Sequence, residues 1–207
     1  MGGDENSVST PLPSTGQDVR AVVLVGGGSR RMGRPKLALR RDGLTLVEIA
    51  VAAVDGLAGT TVLAGDGPLP RGLSGYRRLS DPPNVAGPLG GILAAMRWDP
   101  KAAWVVMACD MPLARPEAVE WLVSQRRSGV LAVLPQIVPG TVEPFLAVYE
   151  PQMKDVLERR AGEGRFGFQD LAGARGISCP PPPDKIRDAW TNVNTLEEFQ
   201  NSAVIDV

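Results

Sequence analysis

The stretch Leu24-Val25-Gly26-Gly27-Gly28-Ser29-Arg30-Arg31-Met32-Gly33-Arg34-Pro35-Lys36 follows an apolar run over residues 19–25, broken only by Arg20. A hydrophobic strand that empties into glycines and then cations offers backbone N–H groups and positive charge to a polyanion. A side chain at the glycines would hold the backbone away from phosphate, and a positive φ is expected in such a turn. The apolar run itself reads as a strand buried on both faces, the kind found in parallel sheets.

Three phosphate-loop patterns compete for this stretch. The loop that ends in Gly-Lys-Ser/Thr fails, because Gly33 is followed by Arg34 and Pro35. The dinucleotide pattern G-x-G-x-x-G matches Gly26 and Gly28 but meets Arg31 where its last glycine belongs. The nucleotidyltransferase signature L-x-G-G-x-S-x-R-M-G-x-x-K matches at Leu24, Gly26, Gly27, Ser29, Arg31, Met32, Gly33 and Lys36. A glycine-rich surface turn with scattered basic residues would not need this order and spacing.

Working outward, the chain has 207 residues, 43% of them hydrophobic, which suits an ordinary globular core. Its net charge of −1 provides no basic field for nucleic acid. No apolar run approaches the roughly 18 residues that a membrane span needs. The polar start, rich in Gly, Pro and Ser, lacks the basic and apolar regions of a secretory signal. Residues 1–18 read as a flexible tail before one domain over 19–207, and a cytoplasmic location is expected. Two cysteines, Cys109 and Cys179, are too few for a disulfide framework or a four-cysteine zinc site. The chain has no histidine, which removes Ser-His-Asp, Cys-His and HExxH chemistry.

Strands are expected at 19–25, 60–64, 76–80, 102–108, 130–134 and 145–149. Helices are expected at 46–57, 92–98, from Pro116 onward, over 150–160 and from Leu196. The alternation indicates an α/β fold with a mostly parallel central sheet flanked by helices. In such sheets ligands bind outside the carboxyl ends of the strands. The glycine loop, Asp81 and Asp110 each follow a predicted strand, so one rim collects them. Residues 161–175 read as a mobile loop over the site, and the proline run 180–183 as a stiff connector. Thr195 with Glu198 forms a capping box for the last helix.

Asp110 is the metal candidate, since an apolar strand ending in a lone carboxylate suits Mg²⁺ and phosphate oxygens. Lys36 is the phosphate cation. Of the adjacent Arg30 and Arg31, the signature favours Arg31. Asp81 reads equally as a turn residue and as a ligand. Asn192 and Asn194 face the same way on an extended segment. They suit a pocket beside a polyanion, while Asn194 reads equally as a helix cap.

With LVGGGSRRMGRPK, DPPNVAGPLGGI, CDMP and NVNT quoted, the chain resembles the molybdenum cofactor guanylyltransferase family, of glycosyltransferase-A-like fold. The resemblance implies Mg²⁺-dependent transfer of GMP from GTP to the phosphate of molybdopterin, with release of pyrophosphate. It implies that Leu24, Val25, Gly26, Gly27, Lys36, Asp81, Gly87 and Asp110 hold the nucleotide. Arg31, Lys36 and Asp110 would serve catalysis, Asp110 would carry the metal, and Asn192 and Asn194 would lie on the pterin side. GTP and molybdopterin are the implied partners, with cofactor-biosynthesis proteins or molybdoenzyme chaperones beyond them.

Two departures stand out. Pro35-Lys36 replaces the Asp-Lys of many guanylyltransferases and resembles the related cytidylyltransferases. Ala64 stands near where the family can carry an Asn, which leaves backbone groups to serve there. The alternatives are the cytidylyltransferase of the same pathway, a sugar-phosphate nucleotidyltransferase, and a non-catalytic molybdopterin carrier. Retention of Lys36 and Asp110 argues against the carrier.

Overall fold

The computed structural model describes residues 18–26, 39–85 and 87–203. In chain order the strands are β1 Val19–Leu24, β2 Arg40–Arg41, β3 Leu44–Thr45, β4 Thr61–Ala64, β5 Arg77–Leu79 and β6 Ala103–Ala108. They continue with β7 Ala132–Val133, β8 Gln136–Val138, β9 Thr141–Val142, β10 Ala147–Tyr149 and β11 Ile177–Ser178. The helices are α1 Leu46–Asp55, α2 Pro88–Trp98, α3 Pro116–Ser124, α4 Met153–Gly162 and α5 Leu196–Ala203.

Seven strands form the central sheet in the order β11-β7-β10-β6-β1-β4-β5. Strands β6, β1, β4 and β5 run parallel, while β10 is antiparallel to both β6 and β7. The expected mostly parallel sheet is therefore present, with one reversed strand. Its central strands are apolar on both faces because both faces are covered. On one face, Val23, Leu63, Val105 and Met107 pack with Val47, Val51 and Val54 of α1 and Val119 and Leu122 of α3. On the other, Val22, Val62, Trp104 and Val106 pack with Leu89, Ile92 and Met96 of α2 and Leu157 of α4.

Register sets the rim. Leu24 of β1 pairs with Ala64 of β4 on one side and with Ala108 of β6 on the other. The residues just beyond that row come from three strand ends, and Leu79 of β5 pairs with Ala64 to add a fourth. Short, sharply ended parallel strands thus place Gly26, Gly65, Asp81 and Asp110 at one edge of the sheet.

Several expected bounds shift, each for a local reason. Helix α2 begins at Pro88 rather than 92, because Pro at the first helical position fits the helix and needs no N–H partner. Helix α1 is fixed at its start by a capping box. Thr45 Oγ1 accepts from the Glu48 N–H, and Glu48 Oε2 accepts from the Thr45 N–H. The strands expected at 130–134 and 145–149 shorten to β7 and β10. The reversed direction of β10 follows a tight run after the β8–β9 hairpin, in which Leu146 has a φ of 72°.

The expectation of a loose loop at 161–175 is corrected. Phe168 and Leu171 are buried, and Asp170 pairs with Arg160 and Arg165. Gln169 holds Val142 from both sides, donating to its carbonyl and accepting from its N–H. The apolar side chains supply burial, and the charges are paired where they meet. After the extended prolines, Asp184–Trp190 forms a 3₁₀ helix whose Ile186 and Trp190 pack against the α3 face.

Candidate active site

Leu24, Gly26, Ala64, Asp81, Gly87, Pro88 and Gly91 line a cleft of about 290 Å³ at the carboxyl edge of the sheet. Four of them (Leu24, Gly26, Asp81 and Gly87) are residues that the sequence nominates, and the structure brings them together. Val25 is buried at the same strand end and donates its N–H to the carbonyl of Ala64 at 2.8 Å. Gly27, Arg31 and Lys36 lie outside the described residues.

Glycine shapes this cleft by letting backbones touch. A Cβ on Gly65 would lie 2.6 Å from the nitrogen of Gly26, and Gly65 also has a φ of 108°. A Cβ on Gly91 would lie 2.6 Å from Leu24 Cδ2 and 3.1 Å from the Ala64 Cβ. Together these contacts seat the first turn of α2 directly on the strand ends. The loop after β4 is clamped from β5. Arg78 donates from Nε to the carbonyl of Gly65 and from a terminal nitrogen to that of Gly67, each at 2.7 Å. Gly67 in turn donates its N–H to the Val25 carbonyl at 3.1 Å.

Asp81 sits against that first turn, where a Cβ on Gly90 would come within 3.2 Å of its carboxyl carbon. Partial burial holds the Asp81 carboxyl above its ordinary range, and the nearby Asp66 carboxylate pushes it the same way.

A second group of residues lies at the end of β6. Asp110 is half-buried, and its carbonyl accepts from the Val193 N–H at 2.9 Å. Val193 is fully buried, which anchors the Asn192–Asn194 segment beside Asp110. The Asn192 amide lies within hydrogen-bonding reach of the Glu143 carboxyl. Burial raises the Glu143 carboxyl most; Asn192 opposes that, and Asp110 adds to it. Thr195 caps α5, its hydroxyl accepting from the Glu198 N–H at 3.1 Å. The alternative reading of Asn194 as the cap is therefore corrected; its backbone N–H donates to the Glu198 side chain instead.

Glu143 is a residue that the sequence reading missed. Its surroundings, Glu-Pro-Phe, follow a two-residue strand, and neither periodicity nor a glycine pattern marks it. One carboxylate directly before a proline in an apolar run was the available signal.

A family model described as the MobA-like NTP transferase domain matches residues 21–175. The chain belongs to that family. The matched span contains the cleft, Asp110 and Glu143. A relative from Thermococcus gammatolerans, named probable molybdenum cofactor guanylyltransferase, is 30% identical over 187 residues, covering 86% of this chain and 95% of the relative. The crystal structure of molybdopterin-guanine dinucleotide biosynthesis protein A from Archaeoglobus fulgidus superposes with a TM-score of 0.74 at 28% identity. That likeness covers 90% of this chain and 97% of the other. A Mycobacterium tuberculosis protein solved in complex with manganese shares the fold at 16% identity and a TM-score of 0.64, over 92% of this chain and 100% of that one. The architecture is thus the glycosyltransferase-A-like fold of the nucleotidyltransferases, as the resemblance implied.

No helix among the described residues is long and apolar enough to cross a membrane.

Proposed function

We propose that the protein transfers GMP from GTP to the phosphate of molybdopterin, forming the guanine dinucleotide of the cofactor and pyrophosphate. One observation supports the reading most: in a chain of this family, the glycine-built cleft and the Asp110–Asn192 group share the carboxyl edge of one sheet. A nucleotide and an acceptor phosphate bound at these two places meet at the rim.

In this reading Leu24, Val25, Gly26, Gly27, Asp81 and Gly87 hold the nucleotide. Lys36 and Arg31 lie on the triphosphate, and Asn192 and Asn194 face the pterin. The half-buried Asp110 carboxylate offers hard oxygen donors, which fit a Mg²⁺ ion held there. Bound Mg²⁺ supplies charge neutralisation on the phosphate oxygens. The remaining work is positioning. The acceptor phosphate is ionised at neutral pH, so no protein base is needed, in keeping with a chain without histidine. A phosphate oxygen forms its bond to the α-phosphorus in line as the bond to pyrophosphate breaks.

Residues 19–207 act as one domain in this account, and the reaction belongs to the cytoplasm, where the triphosphate pool lies. Cofactor-biosynthesis proteins and molybdoenzyme chaperones fit as receivers of the product. Pro35 favours a second reading, transfer of CMP from CTP by the same machinery. The test is pyrophosphate release with molybdopterin, Mg²⁺ and each nucleoside triphosphate in turn. A carrier would release none.

A further inference from the structure

Glu143 stands in a run, Glu143-Pro144-Phe145-Leu146, that leads from β9 into β10 and is held at almost every residue. The Glu143 N–H donates to the Pro135 carbonyl at 2.8 Å. Just before it, Gln169 bonds both backbone groups of Val142. Just after it, the Tyr149 hydroxyl donates to the Pro144 carbonyl at 3.0 Å. Leu146 donates its N–H to Val106 and accepts from Trp190 Nε1 at 3.0 Å. Leu146 is fully buried at a φ of 72°, a conformation that a branched side chain adopts at a cost. Gln169 and Trp190 from distant parts of the chain, with Tyr149 from β10, thus over-determine a short irregular segment.

What this segment presents is the Glu143 carboxyl. Among the described residues, the groups beside it are Asn192 and Asp110, with no basic side chain. An Asn amide has a donor end and an acceptor end, and an ionised carboxylate only accepts, so Glu143 takes the Nδ2 end. The other end, Oδ1 of Asn192, is buried and has no hydrogen-bond partner among the described residues. A buried acceptor without a donor is unfavourable until a donor arrives. Phosphate oxygens ionised at neutral pH bring no proton, whereas a pterin ring brings N–H and amino donors.

We propose that Glu143 is a positioning residue, which holds the Asn192 amide so that Oδ1 accepts a hydrogen bond from an N–H donor of the pterin. The proposal rests on the nucleotidyl-transfer reading above.

The test uses the full chain, with molybdopterin as the probe. Equilibrium binding and steady-state transfer are measured for the wild type and for Glu143→Ala, Glu143→Gln, Asn192→Ala and the double alanine variant. Loss of one held hydrogen bond weakens binding by about tenfold. Glu143→Ala is therefore expected to raise the Kd and KM for molybdopterin by that amount and leave the KM for GTP and kcat unchanged. The double variant is expected to be no weaker than Asn192→Ala, because both changes remove one device. Glu143→Gln keeps an acceptor oxygen and restores near-normal molybdopterin affinity. Unchanged molybdopterin affinity in Glu143→Ala overturns the proposal, as do additive effects or a loss confined to GTP or kcat. Should Glu143→Ala fail to fold, Glu143→Gln and Asn192→Ala decide: normal affinity in Asn192→Ala, or loss in Glu143→Gln equal to that in Asn192→Ala, overturns it. Failure of the underlying reading shows separately, as a wild type that releases no pyrophosphate with any triphosphate.

Discussion

The N–H of Val193 donates to the carbonyl of Asp110 over 2.9 Å, tying the last motif of the chain to the end of β6. The bond is main chain to main chain, so it fixes where Asn192 sits without using the Asp110 carboxylate. The Asp110 side chain takes no part in that bond.

That separation makes Asp110→Asn a clean substitution. The backbone bond persists, and the melting temperature is expected to stay near that of wild type. Loss of one electrostatic stabiliser costs about 10²–10³ in rate. Pyrophosphate release at saturating Mg²⁺ measures it. A variant with nearly full activity would remove Asp110 from the chemistry.

Gly65→Ala is expected to be the most damaging single-methyl change at the cleft. The new Cβ meets the backbone of Gly26 at 2.6 Å, and the φ of 108° strains any side chain. Strain and overpacking of this kind cost about 1–3 kcal/mol. Gly56→Ala is the control, since no atom lies within 4 Å of its Cβ and its φ is −78°. It should shift stability by less than about 0.5 kcal/mol. Denaturant unfolding of the pair would show equal stability if the Gly26–Gly65 contact were unimportant.

Arg78→Met removes both bonds that clamp Gly65 and Gly67. Gly65 packs on Gly26, which lines the cleft proposed for the nucleotide. The KM for GTP is expected to rise by about three- to tenfold, in line with one or two partly exposed hydrogen bonds. The KM for molybdopterin should stay unchanged. A rise in both, or in neither, would contradict the assignment of this loop to the nucleotide.

Lys36→Met keeps most of the stem and deletes the charge. It is expected to weaken GTP binding and slow transfer together. Titration with GTP checks it. An unchanged dissociation constant and turnover would identify Lys36 as a solvated surface lysine.

The rim was legible in the sequence because apolar runs such as 102–108 end abruptly in Asp110, and hydrophobic strands of a parallel sheet leave ligand-binding loops at those ends. Gly26 was legible for the same reason, as a glycine at a strand end where the backbone approaches a ligand; the tight contact at Gly91 was not. The start of α2 was misjudged by one turn, because Pro88 and the two glycines after it read as loop composition while Pro is favoured at a first helical position. The capping box of Thr45 and Glu48 was present in the sequence and unread. Residues 161–175 looked loose because Gly and Arg dominate there, yet Phe168 and Leu171 supply the burial that fixes them. Glu143 was missed because only the fold brings Asn192 and Asp110 near it, and a carboxylate before a proline is a weak signal by itself.

The choice of base separates the guanylyl from the cytidylyl reading. In the sequence, the Gly26-Gly27 pair sides with a purine, where a bulkier second residue resembles the cytidylyltransferases; Pro35 points the other way. A site that hydrogen-bonds one base edge rejects another because mismatched buried groups stay unpaired. The most direct measurement is competition between GTP and CTP for molybdopterin, with Mg²⁺ present and both dinucleotide products quantified. The guanine product is expected, with a kcat/KM ratio above about 10², equivalent to roughly 2.7 kcal/mol in the transition state. Equal use of the two nucleotides, or a preference for CTP, would contradict it.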